Sequence, residues 1–97
     1  MSTKKIIRTY SAGVWYGEIK SLNGSIAVIK NARRLWCWSG AASLSQMAID
    51  GVKNPSGCKF AMTITDDEGV YLPQVIEILP VTPKAQEIIE SVPDWKV

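Results

Sequence analysis

Asn23-Gly24, set between two runs of branched and aromatic residues, is the tightest constraint this sequence places on its own fold. Both residues tolerate the positive φ of a type I′ turn, so the chain is expected to double back there. Val14 to Leu22 then pairs antiparallel with a strand that starts at Ser25. A lone hairpin cannot bury its apolar face, and more strands or a helix must cover it. Lys4 to Tyr10 supplies one such strand, with Ile6, Arg8 and Tyr10 on one face and Ile7 and Thr9 on the other. Ser11-Ala12-Gly13 turns the chain between the first two strands.

The third strand sets Ile26, Val28 and Lys30 on one face and Ala27 and Ile29 on the other. Its alternation carries on through Arg33 to Trp38, which is long against the usual five or six residues, so a bulge is expected near Asn31-Ala32. Beyond that point Arg34, Trp36 and Trp38 share one face and Arg33, Leu35 and Cys37 the other. The pattern leaves open which group faces inward.

Ser39-Gly40-Ala41-Ala42 ends the strand, and Leu44, Met47 and Ala48 recur at helical spacing. Either Ser39 or Ser43 can cap this short helix, Ser43 with Gln46 fitting a capping box, and Gly51 suits its C-terminal turn. Cys58 to Thr65 reads as a strand, Asp66-Asp67-Glu68-Gly69 as an acidic turn, and Val70 to Leu79 as a strand interrupted at Pro73, which has no donor for a ladder. Thr82-Pro83 is a helix cap followed by proline at the first helical position. The helix it opens has Ala85, Ile88, Ile89 and Val92 as its apolar stripe, and Pro93 stops it. Trp95 either packs back on the domain or meets a neighbouring subunit. The expected fold is α+β: one domain over residues 1–97, with an antiparallel sheet of about five strands and two short helices.

Composition excludes several classes of function. Eleven basic and nine acidic residues give a net charge of +2 with no basic run, which disfavours nucleic acid as a partner. No apolar stretch approaches the roughly 18 residues of a membrane span, and the N-terminal residues have no secretory h-region, so no membrane association and a cytoplasmic location are expected. Without histidine the commonest general base and zinc ligand is missing, and Cys37 and Cys58 lack the spacing of a metal site. No enzyme activity, cofactor or metal is expected. A chain of 97 residues has little stability to spare, and its four tryptophans exceed the needs of one small core, so a homo-oligomer is expected.

RTYSAGV at Arg8 to Val14, ARRLWCWSGAASLSQMA at Ala32 to Ala48, and VIEILPVT before the last helix resemble a family of small tailed-phage and prophage proteins to which no established activity attaches. The similarity covers most of the chain, with Ala61 to Tyr71 longer than in the members it resembles. The resemblance implies a phage product acting in the cytoplasm of a bacterial host.

Two groups of residues are candidates for a binding site. Arg33, Arg34, Trp36 and Trp38 combine cationic forks with flat aromatic faces, and the amides of Ser39, Gly40 and Ala41 open a helix, which suits phosphate joined to a ring. Arg8 and Tyr10, leading into the Ser11-Ala12-Gly13 turn, form the second group. Each tryptophan has an equally simple place in a core, and each arginine on a solvated face. The expected function is non-enzymatic binding of a nucleotide-like small molecule, as an anti-defence sponge that sequesters an immune signal. The alternative is a protein-interaction module that inhibits a host complex or assists phage assembly.

Overall fold

The computed structural model describes residues 3–96. Three strands form an antiparallel meander: β1 (Lys4–Thr9), β2 (Val14–Asn23) and β3 (Ile26–Cys37). Helix α1 (Leu44–Asp50) and a single 3₁₀ turn (Pro55–Gly57) follow. The chain then returns along the free edge of β3 as β4 (Lys59–Phe60), an isolated bridge between Ile64 and Ala32, and β5 (Val70–Leu72). Only Pro73 and Gln74 separate β5 from β6 (Val75–Pro80), yet β6 pairs with β1 at the far edge of the sheet. A chain that runs from one edge to the other in two residues requires the sheet to be rolled. Gln74, at φ 55, makes the bend that joins the edges, and Val75 N–H donates to the Ser25 carbonyl across the seam. Helix α2 (Pro83–Ser91) closes the domain.

The roll gives the sheet two apolar faces. Ile7, Trp15, Ala27, Ile29, Ala32 and Leu72 are buried inside it. Ile6, Tyr16, Leu35 and Phe60 point the other way and pack with Met47, Ala48, Ala85, Ile89 and Val92 from the helical layer. Adjacent residues Ile6 and Ile7 therefore belong to different cores, as strand alternation demands. Both helices have the expected caps: the Ser43 and Thr82 hydroxyls accept from the amides three residues on, and Ala85, Ile89 and Val92 are the buried stripe of α2.

Three details differ from expectation. Asn23 pairs with Ile26, so the two-residue loop is Gly24-Ser25 rather than Asn23-Gly24, and β3 starts one residue late. Only Gly24 has positive φ, at 61°, the pattern of a type II′ turn with glycine first. The strand expected over Cys58 to Thr65 forms ladder only at β4 and Ile64, because the Ala61 carbonyl accepts instead from the Arg33 side chain. The alternation expected for Arg34, Trp36 and Trp38 breaks at Trp36, the extra residue where β3 passes β4, and Trp38 packs on the helix-side core. The bulge near Asn31 is present: the β2–β3 register shifts between Tyr16–Arg33 and Glu18–Lys30, and Asn31 takes φ 51.

Gly51 ends α1 at φ 77 and ψ −151, a region open essentially to glycine, and a Cβ there would stand 2.8 Å from Ile88 Cβ. Gly51→Ala is therefore expected to cost about 1 to 3 kcal/mol. The loss should appear as a lower urea midpoint with an unchanged slope.

Candidate functional site

Two neighbouring cross-strand pairs carry the polar chemistry of the domain. Tyr16 stands opposite Arg33 and Trp15 opposite Arg34, and because side chains alternate along both strands the pairs project to opposite faces of the sheet.

On the helix side Arg33 is 3% exposed. Its Nε donates to the Ala61 carbonyl at 2.8 Å, Nη1 to the Ile89 carbonyl at 2.8 Å, and Nη2 to the Val92 carbonyl and, at 3.1 Å, to Asp94 Oδ1. Its guanidinium also lies 5.4 Å from the Phe60 ring centre. The carbonyls at 89 and 92 lie at the C-terminal end of α2, where a cation is favoured, and the Ile89 carbonyl also accepts from Val92 N–H at 3.3 Å. Burial lowers the Arg33 pKa, and Asp94 works against that shift. Beside it the Tyr16 hydroxyl donates to Glu90 Oε2 at 2.5 Å. Burial first, and then the Glu90 carboxylate, raise the Tyr16 pKa well above its ordinary 10.0.

These groups floor a cleft of about 330 Å³. Lys4 lines it from β1, Asn31 from the bulge and Thr63 from the segment after β4, while Glu90 and Asp94 come from the end of α2. The cleft was not read from the sequence, because Glu90 and Asp94 carry no periodic signal and reach β3 only through the fold. Asn31 was visible as a bulge residue. Pro93, which stops α2 and turns Asp94 back toward β3, was the other available sign.

On the opposite face the Arg34 guanidinium lies over the Trp15 ring, 4.5 Å from its centre. It makes no hydrogen bond or ion pair with a described residue. A Cβ on Gly13 would stand 3.8 Å from Arg34 Nη1, so the Ser11–Gly13 turn lies directly beside the fork. That turn is well braced: Thr9 Oγ1 donates to the Gly13 carbonyl and accepts from Ala12 N–H, and Trp15 Nε1 donates to the Ala12 carbonyl. Extending the β2–β3 register by two places sets Gly13 across from Trp36, which is 63% exposed. Tyr10, at the head of the turn, is 71% exposed. The fold thus brings Arg34 of one candidate group beside the turn of the other, with exposed Trp36 two residues further along β3 and exposed Tyr10 just before the turn.

The remaining candidates lie elsewhere. Arg33 is committed to the protein on the helix side, and Arg8 Nε donates to Glu77 Oε1 at 3.0 Å. Trp38 and Ala41 pack against the helix-side core. Ser39 N–H donates to Cys58 Sγ at 3.3 Å, and Ala42 N–H to the Gln46 side chain at 2.8 Å. Gly40 is clamped to Lys53: its carbonyl accepts from Lys53 N–H, and a Cβ would meet that nitrogen at 2.5 Å. The turn before α1 is therefore a structural junction, with the Ser39 and Ala42 amides bonded to acceptors and Gly40 held through its carbonyl.

Rolled sheet, two-helix layer and paired arginines together define a small α+β domain whose described residues include an ionic cleft on one face and a cationic aromatic surface on the other. The chain belongs to the family described as domain of unknown function DUF6948, which matches residues 2–89. No curated protein and no solved structure matches the chain. No helix among the described residues is long and apolar enough to cross a membrane.

Removing the Arg33 side chain takes a donor from three carbonyls and from Asp94, of which the Ile89 carbonyl keeps the Val92 N–H and half-exposed Asp94 keeps water. Arg33→Ala is expected to cost about 1 to 3 kcal/mol for each buried carbonyl left unsatisfied, read by urea unfolding, with Arg33→Lys intermediate because one ammonium cannot span a fork of acceptors. The raised Tyr16 pKa predicts a pH dependence as well. Below pH 10.0 both folded and unfolded chains hold the phenol proton. Above it the unfolded chain loses a proton that the folded chain keeps, so stability falls by up to about 1.4 kcal/mol per pH unit. Unfolding curves taken through that range should show this slope, and Tyr16→Phe should flatten it.

Proposed function

We propose that this chain is a non-enzymatic binding protein of phage origin that captures a phosphate-bearing nucleotide signal in the bacterial cytoplasm, acting as a homo-oligomer. The observation that carries the reading is the Arg34 fork, held over the Trp15 ring beside Gly13 with no described residue on its N–H groups. A guanidinium held by stacking is already ordered, so an incoming phosphate oxygen meets donors that need no rearrangement. Trp36 and Tyr10 offer exposed rings for the base. Arg34, Trp36, Tyr10 and the Ser11–Gly13 turn make up the proposed site. Arg8, Arg33, Trp38 and Ser39 to Ala41 are outside it: both guanidiniums have acceptors, Trp38 and Ala41 pack against the helix-side core, and the Ser39 N–H and the Gly40 carbonyl are bonded within the domain.

Incubation with cyclic nucleotides and ADP-ribose derivatives, followed by heating and analysis of what is released, tests the proposal. Intact ligand supports sequestration. Recovery of apo protein from every member of the panel removes the idea, and turned-over product removes its non-enzymatic part. Arg34→Ala should weaken capture by about 10- to 100-fold, the range for a charge-assisted hydrogen bond, and Trp36→Ala should cost about 1 to 3 kcal/mol as for a lost base stack.

A second reading, a docking module for a host or phage protein, is favoured by the same exposed rings together with Tyr71 at 62% exposure. It predicts a protein partner in pull-downs from host extract that is lost with Trp36→Ala, and no released small molecule.

A further inference from the structure

The cleft between the β3 bulge and the end of α2 faces away from Arg34, and the proposed nucleotide site makes no use of it. Its walls carry two groups of each sign: Lys4 and Arg33 against Glu90 and Asp94. Arg33 is bonded to Asp94 at the α2 end, whereas Lys4 stands apart on β1, 4.0 Å from Glu18 and 5.7 Å from the Tyr16 ring centre, with ammonium donors that more than one carboxylate can share. An anion such as phosphate would meet Glu90 and Asp94, and a plain cation would meet Lys4 and Arg33. Neither mismatch arises for a molecule that carries both charges.

Other groups in the cleft fit the same ligand. The Asn31 side-chain amide and the Thr63 hydroxyl make no hydrogen bond with a described residue. Asn31 is held at φ 51 by the bulge opposite Gly17, where a Cβ would stand 2.9 Å from the Lys30 carbonyl oxygen. A non-glycine residue kept in the left-handed region beside a cleft points to a positioned side chain. Tyr16 donates to Glu90, which fixes one oxygen of that carboxylate, and Arg33 does the same for Asp94. Each carboxylate is thus oriented with an oxygen to spare. The Tyr16 ring is 2% exposed, so the cleft offers no flat face for stacking a sugar. At about 330 Å³ it sits at the small end of ligand pockets.

We propose that this cleft binds a small zwitterion of the free α-amino acid class, its ammonium toward Glu90 and Asp94 and its carboxylate toward Lys4 and the Asn31 amide. The test is NMR titration of the full chain with the common amino acids. Matched probes are an amine lacking the carboxylate, an acid lacking the ammonium, and glycerol. At least one amino acid should perturb the Asn31 and Thr63 signals, with the amine and the acid each about tenfold weaker or more. Asn31→Gly keeps the backbone geometry and removes the amide, and Glu90→Gln keeps an acceptor for Tyr16 while removing charge. Both variants should fold and bind about tenfold less tightly, whereas Arg34→Ala should bind as the parent does. Equal binding of amine and amino acid would make the cleft a cation site, equal binding of acid and amino acid an anion site, and a response to glycerol alone a polyol site. Any of these, or no response to any probe, overturns the proposal.

Discussion

Arg33 brings a full charge into the interior of a 97-residue domain, where leaving water costs several kcal/mol per ion unless every donor finds a partner. Its partners come from three places: the Ala61 carbonyl after β4, the carbonyls of Ile89 and Val92 at the end of α2, and the Asp94 carboxylate beyond it. None is near Arg33 in sequence. The guanidinium therefore ties the return segment and the last helix to the central strand. Asp94 is held twice, by Arg33 and by its bridge to Phe60, and the Trp95 amide donates to the Phe60 carbonyl at 2.8 Å. The tail packs back on the domain through these contacts, although the Trp95 ring stays 45% exposed.

The roll of the sheet depends on the same strand. β3 is long enough to pair with β2 along one edge and with β5, Ile64 and β4 along the other. Its two bulged positions, Asn31 against β2 and Trp36 against β4, supply the extra twist that a rolled sheet needs. Because the sheet curls, one face becomes an enclosed core around Trp15 and Ile29 while the other receives the helices. Arg34 lies where Trp15 approaches the surface, and its charge is stacked rather than paired.

Local signals in the sequence carried most of the elements. The Thr82-Pro83 cap, the Ser43 cap, Gly51, the interruption at Pro73 and the bulge at Asn31 are each set by the backbone preferences of one or two residues, and each is present. The hairpin was legible to within one residue. Gly24 accepts positive φ at lower cost than Asn23, so the loop settles on Gly24-Ser25. Long-range closure was not legible. Nothing in the alternation of Val70 to Leu79 shows that its halves pair with strands at opposite edges, and nothing in Glu90 or Asp94 shows that they meet Arg33. For the candidate site, the residue types were informative and their grouping was not. Arg34 comes to lie beside the Gly13 turn, whereas Ser39 and Gly40 look the same in sequence as part of an anion-binding turn and are tied to Cys58 and Lys53.

Why Arg33 rather than Arg34 is buried has a specific answer in the bulge. Glu18 pairs with Lys30, and a regular ladder continued from there would set Ala32 opposite Tyr16, Arg33 opposite Trp15 and Arg34 opposite Val14. Arg33 would then enter the rolled core among the apolar side chains around Trp15 and Ile29, away from the α2 carbonyls and Asp94, and Arg34 would face the helices. The extra residue at Asn31 moves each arginine across the sheet. It is tolerated because Asn accepts φ 51 more readily than branched residues do and because Gly17 leaves space opposite, where a Cβ would stand 3.3 Å from both the Asn31 carbonyl oxygen and Ala32 Cα. A one-residue slip reverses every side chain beyond it. The Asn31–Gly17 pair therefore decides at once which guanidinium holds α2 and which is left stacked on Trp15 with its donors toward solvent. The same bulge places the Asn31 amide in the cleft, so both surfaces of possible function trace to a single added residue in β3.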